Sequence, residues 1–320
     1  MYRIGVDLGG TNIAVGVIDE NYSIIGRAKT KTACPRPAEE IFADMCKCVK
    51  AAAEDAGIAV SEIASIGIGT PGTVDKAKGI ISYANNLDFN NVPAVELMKK
   101  EFPDTIIRLE NDANCAALGE ALAGSASGAD CAVMITLGTG VGSGIIVGGK
   151  IFSGGINGAG AELGHTVISV DGRQCTCGRR GCFETYSSAS ALTAFTKEKI
   201  HELELKGIDS LLRTIAEEDG KVSARTAFKA MKDGDEYGKA LVDEYVKYLA
   251  AGITNVINTF QPEIISIGGG VSNEGETLVA PLRALVDREQ YTRDNKVKTK
   301  IVTATLGNDA GIVGAAGLGK

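Results

Sequence analysis

Residues 3–19, RIGVDLGGTNIAVGVID, decide the fold class of this chain. Two runs rich in β-branched residues flank the GGTN segment at 9–12, a pattern that predicts two strands joined by a tight glycine turn. Residues 136–149, TLGTGVGSGIIVGG, repeat this order of strand, glycine turn and strand. A second similar pair, SIGIGTPG at 65–72 and SIGGGVS at 266–272, indicates two strands that end in glycine loops. The sequence therefore predicts a duplicated fold with a ligand in the cleft between its halves.

Strand and helix patterns alternate through the rest of the chain, which indicates an α/β fold. Residues 37–56 and most of 188–258 have helical patterns. A last helix is predicted within 307–319, with Asn308 or Asp309 near its N-cap. A length of 320 residues favours two domains.

The charge balance argues against a nucleic-acid partner, because the net charge is −7 and the pI is about 5.1. The N-terminus lacks a basic region followed by an apolar run, so no export signal is predicted and a cytoplasmic location is expected. Residues 131–149 carry no charge, but six of them are glycine and the apolar residues form two short runs. We therefore expect two buried strands there, and no membrane partner.

The chain has eight cysteines, and without an export signal a disulfide framework is not expected. Cys46 and Cys48 lie in a helical pattern two positions apart, so they point in different directions and are predicted to pack in the core. His201 lies in a polar helical pattern and is assigned no function.

The DLGGTN segment is a candidate phosphate loop. Its glycines would let backbone N–H groups converge on phosphate oxygens, and Asp7 could hold Mg²⁺ directly or through water. A plain β-turn would show the same residues, but the paired turn at 138–140 favours a loop that holds a triphosphate. The chain has no Walker-type phosphate loop, and the GIGTPG segment at 67–72 precedes no convincing helix, so a dinucleotide site is not predicted.

Asp112 stands where a predicted strand meets a predicted helix in the segment ENDANCAALGE, residues 110–120. An aspartate there could cap the helix, or accept a proton from a substrate hydroxyl, or do both. Phosphoryl transfer requires only an orienting, weakly basic carboxylate. Asn111 would then hold a neighbouring hydroxyl.

One imidazole and three thiols are gathered in GHTVISVDGRQCTCGRRGCFE, residues 164–184. Such ligands suit a tetrahedral structural zinc site, although reduced structural thiols near an unrelated histidine are the alternative. The predicted ligands are His165, Cys175, Cys177 and Cys182. Zinc would also fix two flanking carboxylates, Glu162 and Glu184, in the geometry that a polyol site requires.

These motifs, from DLGGTN through GAGAELGH to CTCGRRGCFE, resemble in order those of the ROK family of bacterial sugar kinases and sugar-responsive repressors. The resemblance runs from about residue 3 to the C-terminal helix, and the glucokinases of the family are the nearest. It implies an actin-like, ribonuclease-H-like fold of two domains separated by a cleft. We place the first domain at 1–112 with 304–320, and the second at 113–303.

The resemblance also implies the roles of the site residues. Asp112 would deprotonate the sugar hydroxyl, and structural zinc would be bound as above. The sugar would be bound by Asn111, Glu162, His165 and Glu184, with Asn85 and Asn86 as further candidates. The phosphates, Mg²⁺ and nucleotide of ATP would be bound by Asp7, Gly9, Gly10, Thr11, Asn12, Gly138, Thr139, Gly140, Gly269 and Gly270.

The predicted function is ATP-dependent phosphorylation of a hexose, with glucose favoured over N-acetylmannosamine, fructose or allose. A sugar-sensing repressor is disfavoured, because only six residues precede Asp7 and leave no room for a DNA-binding domain. A zinc-ribbon binding module, suggested by Arg173, Arg179 and Arg180, has little support in an acidic chain. A homodimer or homotetramer is expected from the resemblance.

Overall fold

The computed structural model describes residues 2–156 and 158–319. The helices are α1 (Ala38–Asp55), α2 (Ala94–Lys99), α3 (Asp112–Ala123), α4 (Glu184–Ser187), α5 (Ala189–Leu205), α6 (Leu211–Glu218), α7 (Ala224–Lys232), α8 (Glu236–Phe260), α9 (Glu276–Glu289) and α10 (Ala310–Gly317). The strands are β1 (Tyr2–Leu8), β2 (Asn12–Ile18), β3 (Ile24–Lys31), β4 (Ile63–Thr70), β5 (Thr73–Asp75), β6 (Ile80–Ala84), β7 (Phe89–Val92), β8 (Ile106–Asn111), β9 (Cys131–Leu137), β10 (Val141–Val147), β11 (Lys150–Phe152), β12 (Ile264–Gly268) and β13 (Lys300–Thr303).

Two five-stranded sheets have the same strand order. The first runs β3-β2-β1-β4-β8 and the second runs β11-β10-β9-β12-β13. In the first, β1, β2 and β3 pair antiparallel, while β1, β4 and β8 pair parallel. The two glycine-turn hairpins occupy equivalent places, and so do the two strands that end in glycine loops, β4 and β12. The predicted duplication is therefore confirmed.

The long patterns predicted the helices well. The helix predicted at 37–56 is α1, and the region 188–258 contains α5 to α7 and all but the last two residues of α8. Residues 131–149 form β9 and β10, as predicted. The small antiparallel sheet β5-β6-β7 was not predicted, because its strands have only three to five residues and no clear alternation.

The chain divides into two compact units. Unit 1 contains residues 1–134, 144–161 and 304–320, and unit 2 contains 135–143 and 162–303. The sequence suggested a change of domain after residue 112, whereas α3 lies in unit 1. The reason is its close packing on α10, where a methyl group on Gly314 would lie 1.6 Å from the carbonyl oxygen of Cys115.

The core of unit 1 lies between the first sheet and α1. Ile4, Val6 and Ile68 are fully buried there, and Cys46 and Cys48 are 4% and 5% exposed. Cys46 Sγ lies 3.7 Å from Met98 Sδ, so the prediction that these two cysteines pack in the core is confirmed.

The start of α10 confirms the prediction that Asn308 or Asp309 lies near its N-cap. Asp309 occupies the N-cap position but makes no capping hydrogen bond. Its two carboxylate oxygens instead accept from Arg27 Nη1 and Nη2, at 2.6 and 2.7 Å. The bidentate ion pair is the stronger partner for this carboxylate, and it ties α10 to β3.

In unit 2, α8 supports the chain that follows the cysteine cluster. The Phe183 ring lies against Gly252 of α8, where a methyl group would approach it to 2.1 Å. The Tyr245 hydroxyl donates to the carbonyl of Ser187 at 2.6 Å. Across 2–156 and 158–319, we find no helix with the length and apolar character needed to span a membrane.

Candidate active site

The junction of β8 and α3 is fixed by Asn111. Its Oδ1 accepts from the backbone N–H groups of Ala113 and Asn114, at 2.9 and 3.2 Å, and its Nδ2 donates to the Gly72 carbonyl at 3.1 Å. Asn111 is therefore the N-cap, and the suggestion that Asp112 caps the helix is wrong. The Asn111 side chain also donates a hydrogen bond that acts on the Asp112 carboxylate, so it links the helix cap to Asp112.

Asp112 occupies the first helical position and is partly buried. Its Oδ1 accepts from the Ala113 N–H at 2.8 Å. Burial raises the pKa of its carboxyl above the ordinary value, and the hydrogen bonds from Ala113 and Asn111 oppose that rise. A carboxylate whose pKa is raised is a stronger base than a solvated one, which suits it to accept a proton.

The glycine turn between β1 and β2 lies in the same unit. The Gly9 N–H donates to the Asn12 carbonyl at 2.9 Å, and the Thr32 hydroxyl donates to the Gly9 carbonyl at 2.6 Å. Thr11 is exposed at the tip. Asp7 is the next-to-last residue of β1, before the turn, and burial together with the charge of Asp112 raises its pKa to about 6. The electrostatic interaction of Asp7 with Asp112 indicates that the predicted phosphate turn and the predicted base are neighbours.

Asn86 also lies against this turn, because a methyl group on Gly10 would be 3.3 Å from the Asn86 carbonyl oxygen. Asn85 and Asn86 are exposed residues in a turn of 3-10 helix, Asn85–Leu87, whose third residue, Leu87, is buried. The Asn85 Oδ1 accepts from the Tyr83 hydroxyl at 3.2 Å. Both predicted asparagines are thus near the glycine turn and accessible to a ligand.

In unit 2, Glu184 joins the second glycine turn to the cysteine cluster. Its Oε2 accepts from the Val141 N–H at 3.0 Å, and its Oε1 lies 4.0 Å from Cys175 Sγ. A methyl group on Gly140 would lie 2.2 Å from Glu184 Oε2, so glycine is required for this close approach. The Gly138 carbonyl accepts from the Ala189 N–H at 2.8 Å, which anchors the turn to α5.

The four predicted metal ligands do come together. Their ligand atoms all lie within 4.8 Å of one another. Cys177 Sγ lies 3.6 Å from Cys182 Sγ, and Cys175 Sγ lies 3.7 Å from His165 Nδ1. A tetrahedral zinc site with bonds of about 2.0–2.3 Å has ligand-to-ligand distances of roughly 3.5–3.8 Å. The donor set and its spacing therefore fit such an ion.

The backbone of residues 166–182 explains why these ligands converge. Bridges pair Val167 with Cys182 and Gln174 with Arg180, so the segment folds back on itself. Gly178 and Gly181 have φ values of 89° and 78°, which favour glycine. A hydrogen bond from the Arg179 N–H lowers the pKa of the Cys177 thiol, whereas burial raises that of Cys182 to about 12.

Glu162 and His165 bracket a turn of 3-10 helix, Leu163–His165. The His165 N–H donates to the Glu162 carbonyl at 3.0 Å, and the Leu163 N–H donates to the Ser143 hydroxyl at 3.1 Å. Glu162 is exposed and His165 is partly buried. Unit 2 thus holds both predicted sugar-binding carboxylates close in sequence to the metal cluster.

A cavity of about 620 Å³ in unit 2 lies beside the second glycine turn. Thr139 and Gly270, both predicted nucleotide contacts, line it. Gly269 has a φ of 82°, and a methyl group there would lie 2.6 Å from the backbone of Leu137. A glycine at this position therefore allows the chain after β12 to pack closely against the end of β9. Sequence reasoning missed the other polar side chains that line this cavity. They come from α5, from α7 and its N-cap, and from the segment after β12: Ser190, Thr193, Ser223, Arg225, Lys232, Asn273 and Glu274. No local pattern marks them, because they meet only in the fold.

The family model for the ROK family matches residues 3–320. The chain belongs to the ROK family. It is 36% identical to a glucokinase of Thermotoga maritima, over 98% of this chain and 96% of the relative. It is 34% identical to a glucokinase of Halalkalibacterium halodurans, over 100% of this chain and 95% of the relative. A solved ROK family glucokinase from Streptomyces griseus, in complex with glucose and AMPPNP, superposes with a TM-score of 0.79 at 34% identity and covers 99% of both chains.

ROK membership confirms the predicted α/β fold of actin-like ATPase type, to which the two matching sheets correspond. Within this ROK chain, unit 1 carries Asp112, Asn111, the first glycine turn and Asn85–Asn86. Unit 2 carries the second glycine turn, the metal-type cluster, Glu162 and Glu184, and Gly269–Gly270.

Sequence reasoning also missed Lys76. Its side chain forms an ion pair with Glu110, the first residue of the ENDANC segment that contains Asp112.

Proposed function

We propose that this protein is an ATP-dependent hexose kinase that phosphorylates glucose to glucose 6-phosphate. The observation that carries the proposal is the junction of β8 and α3, where Asp112 has a raised pKa and interacts electrostatically with Asp7 beside a glycine turn. A base and a phosphate-type loop in one unit are what transfer of a phosphoryl group to an alcohol requires. The glucokinase names of relatives at 34–36% identity over nearly the full chain support glucose as the substrate.

Asp112 accepts the proton of the attacking sugar hydroxyl. Phosphoryl transfer passes through a loose transition state, so the hydroxyl needs orientation more than strong deprotonation. A carboxylate held by the Ala113 N–H at the N-terminus of α3 has a fixed orientation, and its raised pKa makes it a stronger proton acceptor than a solvated aspartate. Asn111, which directly precedes Asp112, is the proposed contact for a neighbouring hydroxyl.

The first glycine turn binds the phosphates of ATP through backbone N–H groups and the side chains of Thr11 and Asn12. Asp7 would hold Mg²⁺, directly or through water, and the bound cation would neutralise charge on the phosphates. The raised pKa of Asp7 indicates that its charge lacks a partner in the protein alone, and a cation would supply one. The second glycine turn, which contains Thr139, and the cavity beside Gly270 bind the nucleotide. The cavity volume of about 620 Å³ is ample for an adenosine group.

The sugar hydroxyls are bound by Glu162, His165 and Glu184, with Asn85 and Asn86 as further contacts. His165 Nδ1 faces Cys175 Sγ, so Nε2 is the atom left for a hydroxyl when Nδ1 binds zinc. Structural zinc bound by His165 and the three cysteines would fix Glu184, whose Oε1 lies near Cys175.

A Cys177→Ser variant tests this zinc role. We expect loss of bound zinc, measured by mass spectrometry of the metal content, and at least tenfold weaker glucose binding by calorimetry. Cys34→Ser is the matched control, because Cys34 lies outside the cluster in unit 1. A wild-type protein purified without chelator and lacking stoichiometric zinc would contradict the role.

The substrate test is ADP release measured with ATP and Mg²⁺ across glucose, mannose, fructose, N-acetylmannosamine and allose. We expect the highest kcat/KM for glucose, because hydroxyl contacts decide between hexoses. A higher value for another sugar would assign the chain to another ROK kinase activity. No turnover with any sugar, together with sugar binding, would favour the sugar-sensing regulator instead.

We also propose a homodimer or homotetramer in the cytoplasm, as the resemblance to ROK kinases implies. Light scattering coupled to size-exclusion chromatography measures the mass directly, against 33.1 kDa for one chain.

A further inference from the structure

Glu110, the next-to-last residue of β8, forms an ion pair with Lys76 beside the β8–α3 junction. Glu110 is the residue before the Asn111 cap, and its side chain is only 3% exposed. The Lys76 side chain is 40% exposed and brings its Nζ against Glu110 Oε2. A carboxylate so deeply buried requires a charged partner or several hydrogen bonds, and Glu110 has both.

The other oxygen of Glu110 holds both ends of the first turn of α3. Oε1 accepts from the Asn111 N–H at 2.9 Å and from Asn114 Nδ2 at 3.0 Å. Asn111 in turn caps the helix and donates to the Gly72 carbonyl. The backbone of Asp112 therefore lies between two residues, Asn111 and Asn114, that a single buried carboxylate fixes in place.

Lys76 extends this network to the end of the β10–β11 hairpin. Its Nζ also donates to the Ser153 hydroxyl at 3.0 Å, and Ser153 follows directly after β11. Both Lys76 and Ser153 belong to unit 1. The Lys76 ammonium group thus pairs with Glu110, while Ser153 after β11 holds the ammonium group in place.

We propose that Glu110 and Lys76 are positioning residues for the phosphoryl-transfer reaction, which act through Asn111 and Asp112; this inference rests on the proposed kinase function. Neither side chain is among the groups assigned to sugar, nucleotide or metal. Their effect is on the orientation of the base, because small displacements of a catalytic group cost large factors in rate.

A purely structural role is the alternative, and stability alone does not explain the pair. Replacing buried ion pairs by apolar residues is often neutral for stability. What an apolar pair would lose is the directed acceptor for Asn111 N–H and Asn114 Nδ2. A positioning role predicts a lower kcat in a variant that remains folded, whereas a purely structural role predicts an effect on stability alone.

The experiment compares Lys76→Met, Lys76→Arg and the control Lys78→Met. Lys78 is two residues away and pairs with Asp75 at the surface at 3.1 Å, with 74% of its side chain exposed. Lys76 lines a cavity of about 550 Å³, so methionine has room. We expect Lys76→Met to lower kcat at least tenfold with KM for ATP changed less than threefold. Lys76→Arg should recover most of kcat, and Lys78→Met should stay within twofold of wild type.

Glu110→Gln is a second variant, which avoids an unpaired buried charge if Lys76→Met does not fold. It retains an oxygen acceptor and the side-chain volume, and we expect a fivefold or greater loss of kcat. Hydrogen exchange of the segment 106–118 is the readout that does not depend on activity. Exchange of the Ala113 and Asn114 amides, which Asn111 caps, should be at least tenfold faster in Lys76→Met or Glu110→Gln.

The results separate the two proposals. Faster exchange together with a selective loss of kcat supports the positioning role. If exchange or kcat is unchanged in a folded Lys76→Met or Glu110→Gln protein, the positioning role is wrong, even when wild type is a good kinase. If wild type phosphorylates no sugar, the proposed function fails, and no positioning role in this reaction survives, whatever the exchange shows.

Discussion

Asp112 combines a helix N-terminus, partial burial and an acidic neighbour in one residue. The helix N-terminus and its N–H groups stabilise the ionised form, while burial favours the neutral form. The balance raises the pKa of Asp112, so its carboxylate is a better base than a solvated aspartate. Because the ionised form accepts the proton, kcat/KM should rise with pH as Asp112 loses its proton and level off above that range.

Asp112→Asn tests this role at the residue scale. We expect kcat to fall roughly a thousandfold, within the range of about 10²–10⁴ for loss of a general base. Glucose binding should stay within threefold of wild type, because asparagine preserves the shape of the side chain. Coupled measurement of ADP release and calorimetric titration with glucose check both expectations. Asp104→Asn, at an exposed loop position, is the control. A variant that keeps a tenth or more of wild-type kcat would contradict the assignment.

The ionised carboxylate of Asp7 should lower the free energy of unfolding of the ligand-free protein. Its pKa is raised from 3.8 to about 6, so the folded chain holds this proton more tightly than the unfolded chain does. The free energy of unfolding of the ligand-free protein therefore falls as pH rises from about 4 through 6, and the loss is complete above about 7.

Asp7→Asn removes this cost. We expect the variant to be more stable than wild type by roughly 1–3 kcal/mol at pH 8 without ATP or Mg²⁺, and to lose that advantage at pH 4. Urea unfolding at the two pH values measures the difference. The same variant should have little kinase activity, since Asp7 is the proposed Mg²⁺ ligand. Equal stabilisation at both pH values would show that ionisation is not its cause.

At the scale of elements, α3 and α10 form the base on which the catalytic junction rests. They pack so closely that glycines replace side chains between them: a methyl group on Gly119 would lie 2.2 Å from the Ala310 carbonyl oxygen. The corresponding distance from Gly314 to the Cys115 carbonyl oxygen is 1.6 Å. Such backbone contacts cannot move aside as flexible side chains do.

Gly314→Ala and Gly317→Ala separate this packing from helix propensity. Alanine is favoured over glycine by about 0.8–1 kcal/mol inside a helix, and the gain is smaller at Gly317, the last residue of α10. A methyl group on Gly314 meets backbone, whereas on Gly317 it first meets Leu122 Cδ1 at 2.4 Å, the end of a flexible side chain. We expect Gly314→Ala to lower the free energy of unfolding by about 1–3 kcal/mol, and Gly317→Ala to change it by less than about 1 kcal/mol. Thermal unfolding followed by circular dichroism measures both, and similar values would contradict close packing as the cause.

At the scale of the whole molecule, the sequence predicts local features and misses long-range ones. The glycine turns, the β8–α3 junction and the metal cluster could be predicted because the residues that define each of them are near in sequence. Lys76 lies 34 positions before its partner Glu110 and carries no motif, so only the fold shows the pair. The polar lining of the unit 2 cavity was missed for the same reason. The N-cap was misjudged by one residue, because asparagine and aspartate cap equally well and the sequence offers both.

The division into units predicts that metal removal acts on one half of the molecule. All four metal-type ligands, His165, Cys175, Cys177 and Cys182, lie in unit 2. A structural metal contributes its binding free energy to the part of the fold that holds its ligands. Unit 1 has its own core around β1, β4 and α1, which contains none of the ligands.

Hydrogen exchange with and without a chelator tests this prediction. We expect amides of 162–184 and of the N-terminal part of α5 to exchange at least tenfold faster after metal removal, while β1, β2 and α3 change less than twofold. Melting of the protein should begin roughly 5–15 °C lower, since about 2–4 °C corresponds to 1 kcal/mol for a unit of this size. Added Zn²⁺ should restore both values, and the chelator should have no further effect on Cys177→Ser. Faster exchange spread equally over both units would instead mean that the metal supports the molecule as one cooperative body.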